Sequence, residues 1–173
     1  MQSFTISDEL WYGNKELTLE FPSDWSVRFC SMAGYSMEQI SREGIREAFI
    51  HPIGVKPIRR LAEGRREAVV IVDDMARPTP ASQLIHFIID ELIGGGISRD
   101  HIRVVVGLGA HGACNRIDFV KKLGEDVVEQ FPVYNHNAFS NLEHIGSTSR
   151  GTPVKINGEV MACDLKIAVG SIV

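Results

Sequence analysis

The sequence has few cysteines and no excess of basic residues, and each scarcity argues against a class of protein. The three cysteines, Cys30, Cys114 and Cys163, are odd in number and far apart, which argues against a disulfide framework and against a clustered zinc site. We expect them to be free thiols. Eighteen Lys and Arg against 22 Asp and Glu give a net charge of −4, so no nucleic-acid partner is expected.

Long apolar runs are also missing. Asp73 and Asp74 interrupt one apolar segment and Asp90 and Glu91 interrupt another. No window therefore approaches the ~20 apolar residues that a membrane-spanning helix needs. The N-terminus lacks a basic segment followed by an apolar one, so we predict no signal peptide. These absences predict a cytoplasmic protein that does not enter a membrane.

The remaining composition is ordinary for a globular domain. The chain has 173 residues, of which 44% are hydrophobic and 23% are charged. This length is enough for one domain with a buried core. Repeats, linkers and low-complexity tracts are absent from the sequence, so we treat residues 1–173 as one domain.

The middle of the chain alternates apolar strand-like segments with helical ones. Three apolar segments are either short or show no alternation of apolar and polar residues, which is typical of strands buried in a parallel sheet. A βαβαβ order predicts such a sheet, with right-handed crossovers. We therefore predict a Rossmann-like α/β fold, a mostly parallel sheet with helices on both faces. The predicted strands are 68–72, 102–107 and 132–135, and the predicted helices between them are 81–93 and 115–130.

An N-terminal β-hairpin precedes this core in the prediction. Alternating apolar residues over 4–11 and 17–21 flank a turn at Gly13–Asn14. Helical spacing of apolar residues predicts a helix over 37–50 that covers the sheet, and a short helix follows at 58–63.

Two further boundaries are predicted from capping and turn residues. Thr79 is the predicted N-cap of the helix over 81–93, with Pro80 at its first position. Asn157–Gly158 is the predicted turn of a second hairpin, and an apolar strand, 165–169, follows it.

Ligands of open parallel α/β sheets bind outside the carboxyl ends of the strands, so the residues after each strand are the candidates for a site. Asp74 and Arg77 follow the first of these strands. A guanidinium there can grip a carboxylate or phosphate by two hydrogen bonds, and Asp74 can orient an imidazole. An ion pair between Asp74 and Arg77 that only closes the turn is the alternative.

His111 lies at the tip of the turn after the next strand. A histidine in this position can act as a general acid or base, or be an ordinary surface residue. Asn135 and His136 follow the third strand, at the same edge of the sheet.

The turn at 107–112 also matches the GxGxxG pattern of dinucleotide-binding folds. The acidic residue that should bind the ribose, ~20 residues later, is missing at Tyr134 and Asn135. A complete βα unit also precedes this strand, whereas the fingerprint normally opens the fold. A nucleotide- or phosphate-binding module therefore remains the second interpretation, and a non-catalytic assembly domain the third.

Four segments in this order, DMARPTP, GLGAHG, YNHNAF and TSRGTPVKIN, resemble the N-terminal domain of the lactate racemase family, the nickel-pincer enzymes. The resemblance covers nearly the whole chain. It implies a two-domain α/β enzyme that racemises or epimerises a small 2-hydroxy acid in the cleft between its domains. It also implies a nickel-pincer nucleotide tethered to a lysine.

The resemblance assigns roles to residues of this chain. His111 matches the histidine that takes the substrate hydroxyl proton while hydride moves from C2 to the cofactor. Asp74 matches a carboxylate of the site, and Arg77 matches the arginine that holds the substrate carboxylate. Further positions match the family pattern without an assigned role, and we expect them to line the site. They are Asn135, His136, Ser149 and Arg150.

The resemblance also implies that part of the enzyme is absent from this sequence. The family segment with the tethering lysine, a second catalytic histidine and a metal-ligand histidine does not follow the final strand, and Lys166 does not match the tether. We expect no metal ligand in this chain. We expect its partners to be a 2-hydroxy acid and a C-terminal domain of the same protein, and the isolated fragment to be inactive. Homo-oligomerisation is left open.

Overall fold

A computed structural model describes residues 1–7, 11, 16–31 and 34–171 of the chain. By its internal contacts the chain divides into two compact units, Met1–Ser41 and Arg42–Val173.

The smaller unit contains the predicted hairpin. Strands β1 (Gln2–Ser7) and β2 (Glu16–Phe21) pair antiparallel in a continuous register. The rings of Phe4 and Phe21 meet edge to face, with 5.9 Å between their centroids, which adds a cross-strand aromatic contact. The predicted turn at Gly13–Asn14 lies outside the described residues.

The larger unit alternates strands and helices as predicted. Its strands are β3 (Ala68–Asp73), β4 (Ile102–Gly107), β5 (Val133–Asn135), β6 (Leu142–Ser147), β7 (Pro153–Asn157) and β8 (Leu165–Val169). Its α-helices are α1 (Arg42–Ile50), α2 (Ile58–Ala62), α3 (Ala81–Gly94), α4 (Arg116–Leu123), α5 (Glu125–Gln130) and α6 (Gly158–Met161), and a 3₁₀ turn spans Arg99–His101.

The central sheet has four parallel strands in the order β5-β4-β3-β8. Ala68 of β3 lies opposite Ile102 of β4 on one side and Leu165 of β8 on the other. The predicted parallel sheet is therefore confirmed, and the predicted final strand joins it beside β3. Strands β6 and β7 form a separate antiparallel pair.

Successive residues of β3 face two different helical layers. Val70 and Val72 are buried in the main core together with Ile85 of α3. Val69, which points the other way, is buried against Val160 of α6. Burying each such side chain stabilises the fold by about 1.5–3 kcal/mol. Helices thus cover both faces, as the sequence predicts.

No helix in the described part of the chain is long and apolar enough to cross a bilayer. Even α3 has only 14 residues.

Three predicted boundaries differ from the structure. The helix over 37–50 is shorter, because α1 begins at Arg42. The helix over 115–130 is broken in two at Gly124, whose φ of 96° is incompatible with a continuous right-handed helix. Thr79 is not the N-cap of α3: Pro80 occupies that position, and the Thr79 hydroxyl donates to Asp73 Oδ2 instead.

The second hairpin turn was also predicted in the wrong place. The chain reverses between β6 and β7 around Gly151, which has a φ of 79°. Asn157 instead caps α6, because its Oδ1 accepts hydrogen bonds from the N–H groups of Glu159 and Val160. An Asn-Gly pair can begin a helix as well as turn a hairpin, since Asn favours both positions.

A carboxylate ties the start of β3 to the start of β8, and its titration should be visible in the stability of the fold. Asp164 accepts hydrogen bonds from the backbone N–H groups of Arg66 and Glu67. These bonds hold the pKa of the Asp164 carboxyl below its ordinary value. A carboxyl with a lowered folded-state pKa stabilises the protein above its ordinary pKa, and this contribution is lost as pH falls through the lowered value.

We therefore expect Asp164→Ala to remove part of the acid dependence of unfolding. Its stability deficit should be present at neutral pH and should shrink as pH falls below about 4, where the carboxyl of the unfolded chain becomes protonated first and that of the folded chain at lower pH. Urea unfolding at several pH values measures this. Glu143→Ala, an exposed acidic residue of β6, is the matched control; an equal pH dependence in both variants would contradict the assignment.

Candidate active site

Three segments with polar side chains meet at the carboxyl edge of the sheet. The register aligns Asp73, the last residue of β3, with Gly107 at the end of β4, and Val106 of β4 with Asn135 at the end of β5. The loops that leave these strands therefore start side by side. This edge is where open parallel α/β sheets bind ligands.

Asp74 and His111 form the closest contact between these loops. His111 Nδ1 lies 2.5 Å from Asp74 Oδ2, although the two residues are 37 positions apart in sequence. The Asp74 side chain is only 8% exposed, whereas the His111 side chain is 62% exposed. The second oxygen, Asp74 Oδ1, accepts a hydrogen bond from the Ala76 N–H at 3.1 Å, which fixes the orientation of the carboxylate.

This contact selects one tautomer of the imidazole. An ionised carboxylate can only accept hydrogen bonds, so the proton of neutral His111 lies on Nδ1 and is donated to Asp74. The Nε2 atom then carries a lone pair on the more exposed side chain. A histidine held in this way can take a proton at Nε2, and the nearby carboxylate stabilises the imidazolium that results.

Arg77 lies in the same turn as Asp74. Its backbone N–H donates to the Asp74 carbonyl at 3.2 Å, and the residue is exposed. Within the described residues, no ion pair joins the Arg77 guanidinium to Asp74, whose two carboxylate oxygens contact Ala76 and His111. The alternative of a turn closed by an Asp74–Arg77 pair is therefore wrong. The guanidinium is available to an anionic ligand.

A buried lysine that the sequence did not single out lies beneath this turn. Lys122 of α4 is 2% exposed. Its Nζ lies 2.6 Å from Asp73 Oδ1 and donates to the carbonyl oxygens of Asp74 and Arg77, both at 3.0 Å. The signal was present in the sequence: Lys122 lies between Phe119 and Leu123, which both pack in the core.

Asn135 organises the loop that carries His111. Its Oδ1 accepts the Cys114 N–H at 3.1 Å, and its Nδ2 donates to the Cys114 carbonyl at 2.8 Å. Burial raises the pKa of the Cys114 thiol, and an interaction with the Met75 backbone partly opposes this shift. The thiol is thus kept protonated between the two loops, and it is not an activated nucleophile.

His136 follows Asn135 and contacts a different element. Its backbone N–H donates to the Val106 carbonyl at 2.9 Å, and its Nδ1 lies 3.3 Å from Asn157 Nδ2. Because Asn157 Oδ1 already accepts two backbone N–H groups of α6, the facing atom is the amide donor, and His136 Nδ1 must accept. Among the residues that the structure describes, no hydrogen bond or ion pair joins His136 to the Asp74–His111 pair.

Ser149 and Arg150 lie in the exposed turn between β6 and β7. Thr148 organises this turn, since its Oγ1 accepts hydrogen bonds from the N–H groups of Arg150 and Thr152. In the described ranges no hydrogen bond or ion pair joins Ser149 or Arg150 to the Asp74–His111 pair. The structure therefore brings together His111, Asp74 and Arg77, whereas a place for Ser149 and Arg150 in the site stays a prediction.

The glycine-rich turn lacks the features of a dinucleotide site. Helix α4 begins at Arg116, after the motif, and Asn115 caps its first N–H groups in a capping box with Asp118. Those donors are therefore occupied rather than aimed at a phosphate. Asn135, at the position where an acidic ribose ligand is expected, uses both of its amide atoms on Cys114. No observation favours a nucleotide here.

The described segments contain no group of three or more His, Cys, Asp or Glu side chains that could hold a metal ion.

The fold and the site together define a class of protein. It is a parallel α/β domain that presents a histidine–carboxylate pair and an arginine at its strand ends, where small molecules bind. More particularly, the chain belongs to the lactate racemase N-terminal domain family, which it matches over residues 12–173.

Curated relatives and a solved structure agree with this assignment. The chain is 28% identical over 168 residues to the lactate racemase of Thermoanaerobacterium thermosaccharolyticum, covering 95% of this chain and 39% of that protein. It is 26% identical over 172 residues to the lactate racemase of Lactiplantibacillus plantarum, covering 96% of this chain and 40% of that protein. The lactate racemase apoprotein structure from T. thermosaccharolyticum superposes with a TM-score of 0.70 at 26% identity. The match covers 96% of this chain and 38% of that one. The chain thus spans about two fifths of the length of these relatives.

Proposed function

We propose that this chain forms the substrate-binding and proton-transferring half of an enzyme that racemises a small 2-hydroxy acid such as lactate. The observation that carries the proposal is the 2.5 Å contact between His111 and Asp74, in loops that also present Arg77. These groups are a base and a cation, the two functions that a 2-hydroxy acid requires at its hydroxyl and its carboxylate. The family relationship to lactate racemases supports the same substrate class.

Each of the three residues has a defined part in this proposal. Arg77 binds the substrate carboxylate through two parallel hydrogen bonds, which fixes the position of C2. His111 Nε2 accepts the proton of the substrate hydroxyl and later returns it. Asp74 holds the imidazole in the tautomer that leaves Nε2 free, and it stabilises the imidazolium.

The described residues do not fit the nickel-pincer nucleotide that the family resemblance implies. They contain no metal-ligand cluster. Two of the lysines are engaged within the chain, because Lys122 binds the Asp74 turn and Lys166 Nζ donates to the Cys163 carbonyl. We propose instead that a C-terminal domain of the same protein holds it, and that the enzyme acts in the cytoplasm.

The proposal is tested with the full-length protein that contains this chain, produced with its cofactor. Incubation with L-lactate should yield D-lactate until the two enantiomers are equal, as resolved by chiral chromatography. The 173-residue chain alone should leave L-lactate unchanged even when the cofactor is added. Racemisation by the isolated chain would contradict the proposed division between two domains.

Arg77→Lys is expected to weaken substrate binding more than turnover. Lysine keeps the positive charge but presents a point donor instead of a planar fork, so the two-bond grip on the carboxylate is lost. We expect KM for lactate to rise about 10-fold, corresponding to about 1.4 kcal/mol, with a smaller change in kcat. Arg60→Lys, at an exposed arginine of α2, is the matched control. An unchanged KM in Arg77→Lys would remove Arg77 from the binding role.

A further inference from the structure

We propose that Lys122 is a positioning residue that holds the Asp74–Arg77 turn in the geometry that substrate binding requires. The claim that substrate binding needs this geometry rests on the proposed function, whereas the claim that Lys122 holds the turn rests on contacts within the chain. Burying an ammonium group is unfavourable unless charge and hydrogen bonds compensate, so a lysine that is 2% exposed indicates a specific partner set.

Three oxygens surround the ammonium group. Lys122 Nζ forms an ion pair with Asp73 Oδ1 at 2.6 Å and donates hydrogen bonds to the carbonyls of Asp74 and Arg77, both at 3.0 Å. The other oxygen of Asp73 accepts the Thr79 hydroxyl. Lys122 and Asp73 therefore each have a further polar partner besides the other.

The two carbonyls bound by Lys122 belong to the first and last residues of the turn. Asp74 supplies the carboxylate that orients His111, and Arg77 supplies the guanidinium. One ammonium group thus fixes the distance between these backbone positions. Without it, the two carbonyls would lose a charged donor beneath the turn, and the side chains above would sample more positions.

The test uses Lys122→Met, which keeps the length of the side chain and removes its charge and donors. Because this leaves the Asp73 carboxylate without its cation, the single variant is liable to misfold. The double variant Asp73→Asn/Lys122→Met removes both charges and still leaves the Asp74 and Arg77 carbonyls without the lysine donor. Lys155→Met, an exposed lysine of β7, controls for the loss of one positive charge.

Two readouts in the full-length protein separate the structural claim from the functional one. In hydrogen–deuterium exchange, the peptide covering residues 73–79 should exchange at least 10-fold faster in the double variant, while the β4 peptide is unchanged. KM for lactate should rise at least 10-fold, with the melting temperature close to that of the wild type. Lys155→Met should match the wild type in both readouts.

The outcomes distinguish two failures. Unchanged exchange over residues 73–79 would overturn the proposal for Lys122, whatever the enzyme does. Faster exchange with an unchanged KM would also overturn it, because the turn would then not need to be held for substrate to bind. If the wild type does not racemise lactate at all, the proposed function fails, and the exchange measurement still decides whether Lys122 holds the turn.

Discussion

Replacing His111 by alanine in the full-length, cofactor-loaded protein is expected to lower kcat for lactate racemisation by about 10²–10⁴-fold, the range that a general acid–base residue contributes. The base that accepts the hydroxyl proton is lost, while Arg77 still binds the carboxylate, so KM should change little. The variant also leaves the Asp74 carboxylate, whose side chain is only 8% exposed, without its imidazole partner, so the free energy of unfolding should fall by about 1–3 kcal/mol.

His144→Ala is the control for this experiment. His144 is an exposed histidine of β6, and its removal should leave both turnover and stability near wild-type values. Full activity in His111→Ala, in protein shown to carry its cofactor, would exclude His111 as the base. Loss of activity in His144→Ala as well would indicate a general sensitivity to histidine replacement rather than a catalytic role.

Asp74→Asn is expected to have an effect of similar size through a different route. An asparagine Oδ1 can still accept the Ala76 N–H, which places the Nδ2 donor against His111 Nδ1. The imidazole must then accept at Nδ1 and carry its proton on Nε2, the atom that should receive the substrate proton. We expect kcat to fall by about 10²–10⁴-fold because the wrong tautomer is selected and the imidazolium loses its counter-charge.

The matched control is Asp126→Asn, an exposed carboxylate that lies 3.6 Å from His86 Nδ1 in another histidine–carboxylate pair. That pair has no part in the proposed site, so turnover should be unaffected. The kinetics of the double variant Asp74→Asn/His111→Ala extend the test. If the two residues act as a unit, the double variant should be little worse than His111→Ala. Fully multiplicative losses would contradict a coupled pair.

The sequence predicted the central fold because its signals are strong there. Residues 68–72 and 102–107 are apolar without alternation, a pattern typical of strands buried on both faces. Both form central strands of the parallel sheet, and 165–169 joins them. The order of strands and helices then restricts the topology to few choices.

The errors in the predicted elements arose where one residue type suits two local structures. Thr79 can cap a helix, but a carboxylate of Asp73 lies within reach of its hydroxyl and binds it instead. Asn157 can turn a hairpin, but it caps α6. Gly124 interrupts a continuous helical pattern because it adopts a positive φ, which the pattern of apolar residues does not report.

The site was predictable only in part. Position after a strand was enough to select Asp74, Arg77, His111 and Asn135, because the carboxyl ends of parallel strands meet at one edge. The contact between Asp74 and His111 spans 37 residues and depends on loop conformation, so spacing alone did not predict it. Lys122 was missed because a lysine in a helix is usually solvated, although its apolar neighbours Phe119 and Leu123 indicate a buried face of α4.

The central claim is that His111 faces the hydroxyl and Arg77 the carboxylate of one bound 2-hydroxy acid. A crystal structure of the full-length protein with bound lactate tests this most directly. The account predicts the lactate hydroxyl oxygen within about 3.2 Å of His111 Nε2, with the carboxylate on the Arg77 guanidinium. Lactate bound with its hydroxyl away from His111, or at a site that lacks both residues, would contradict it.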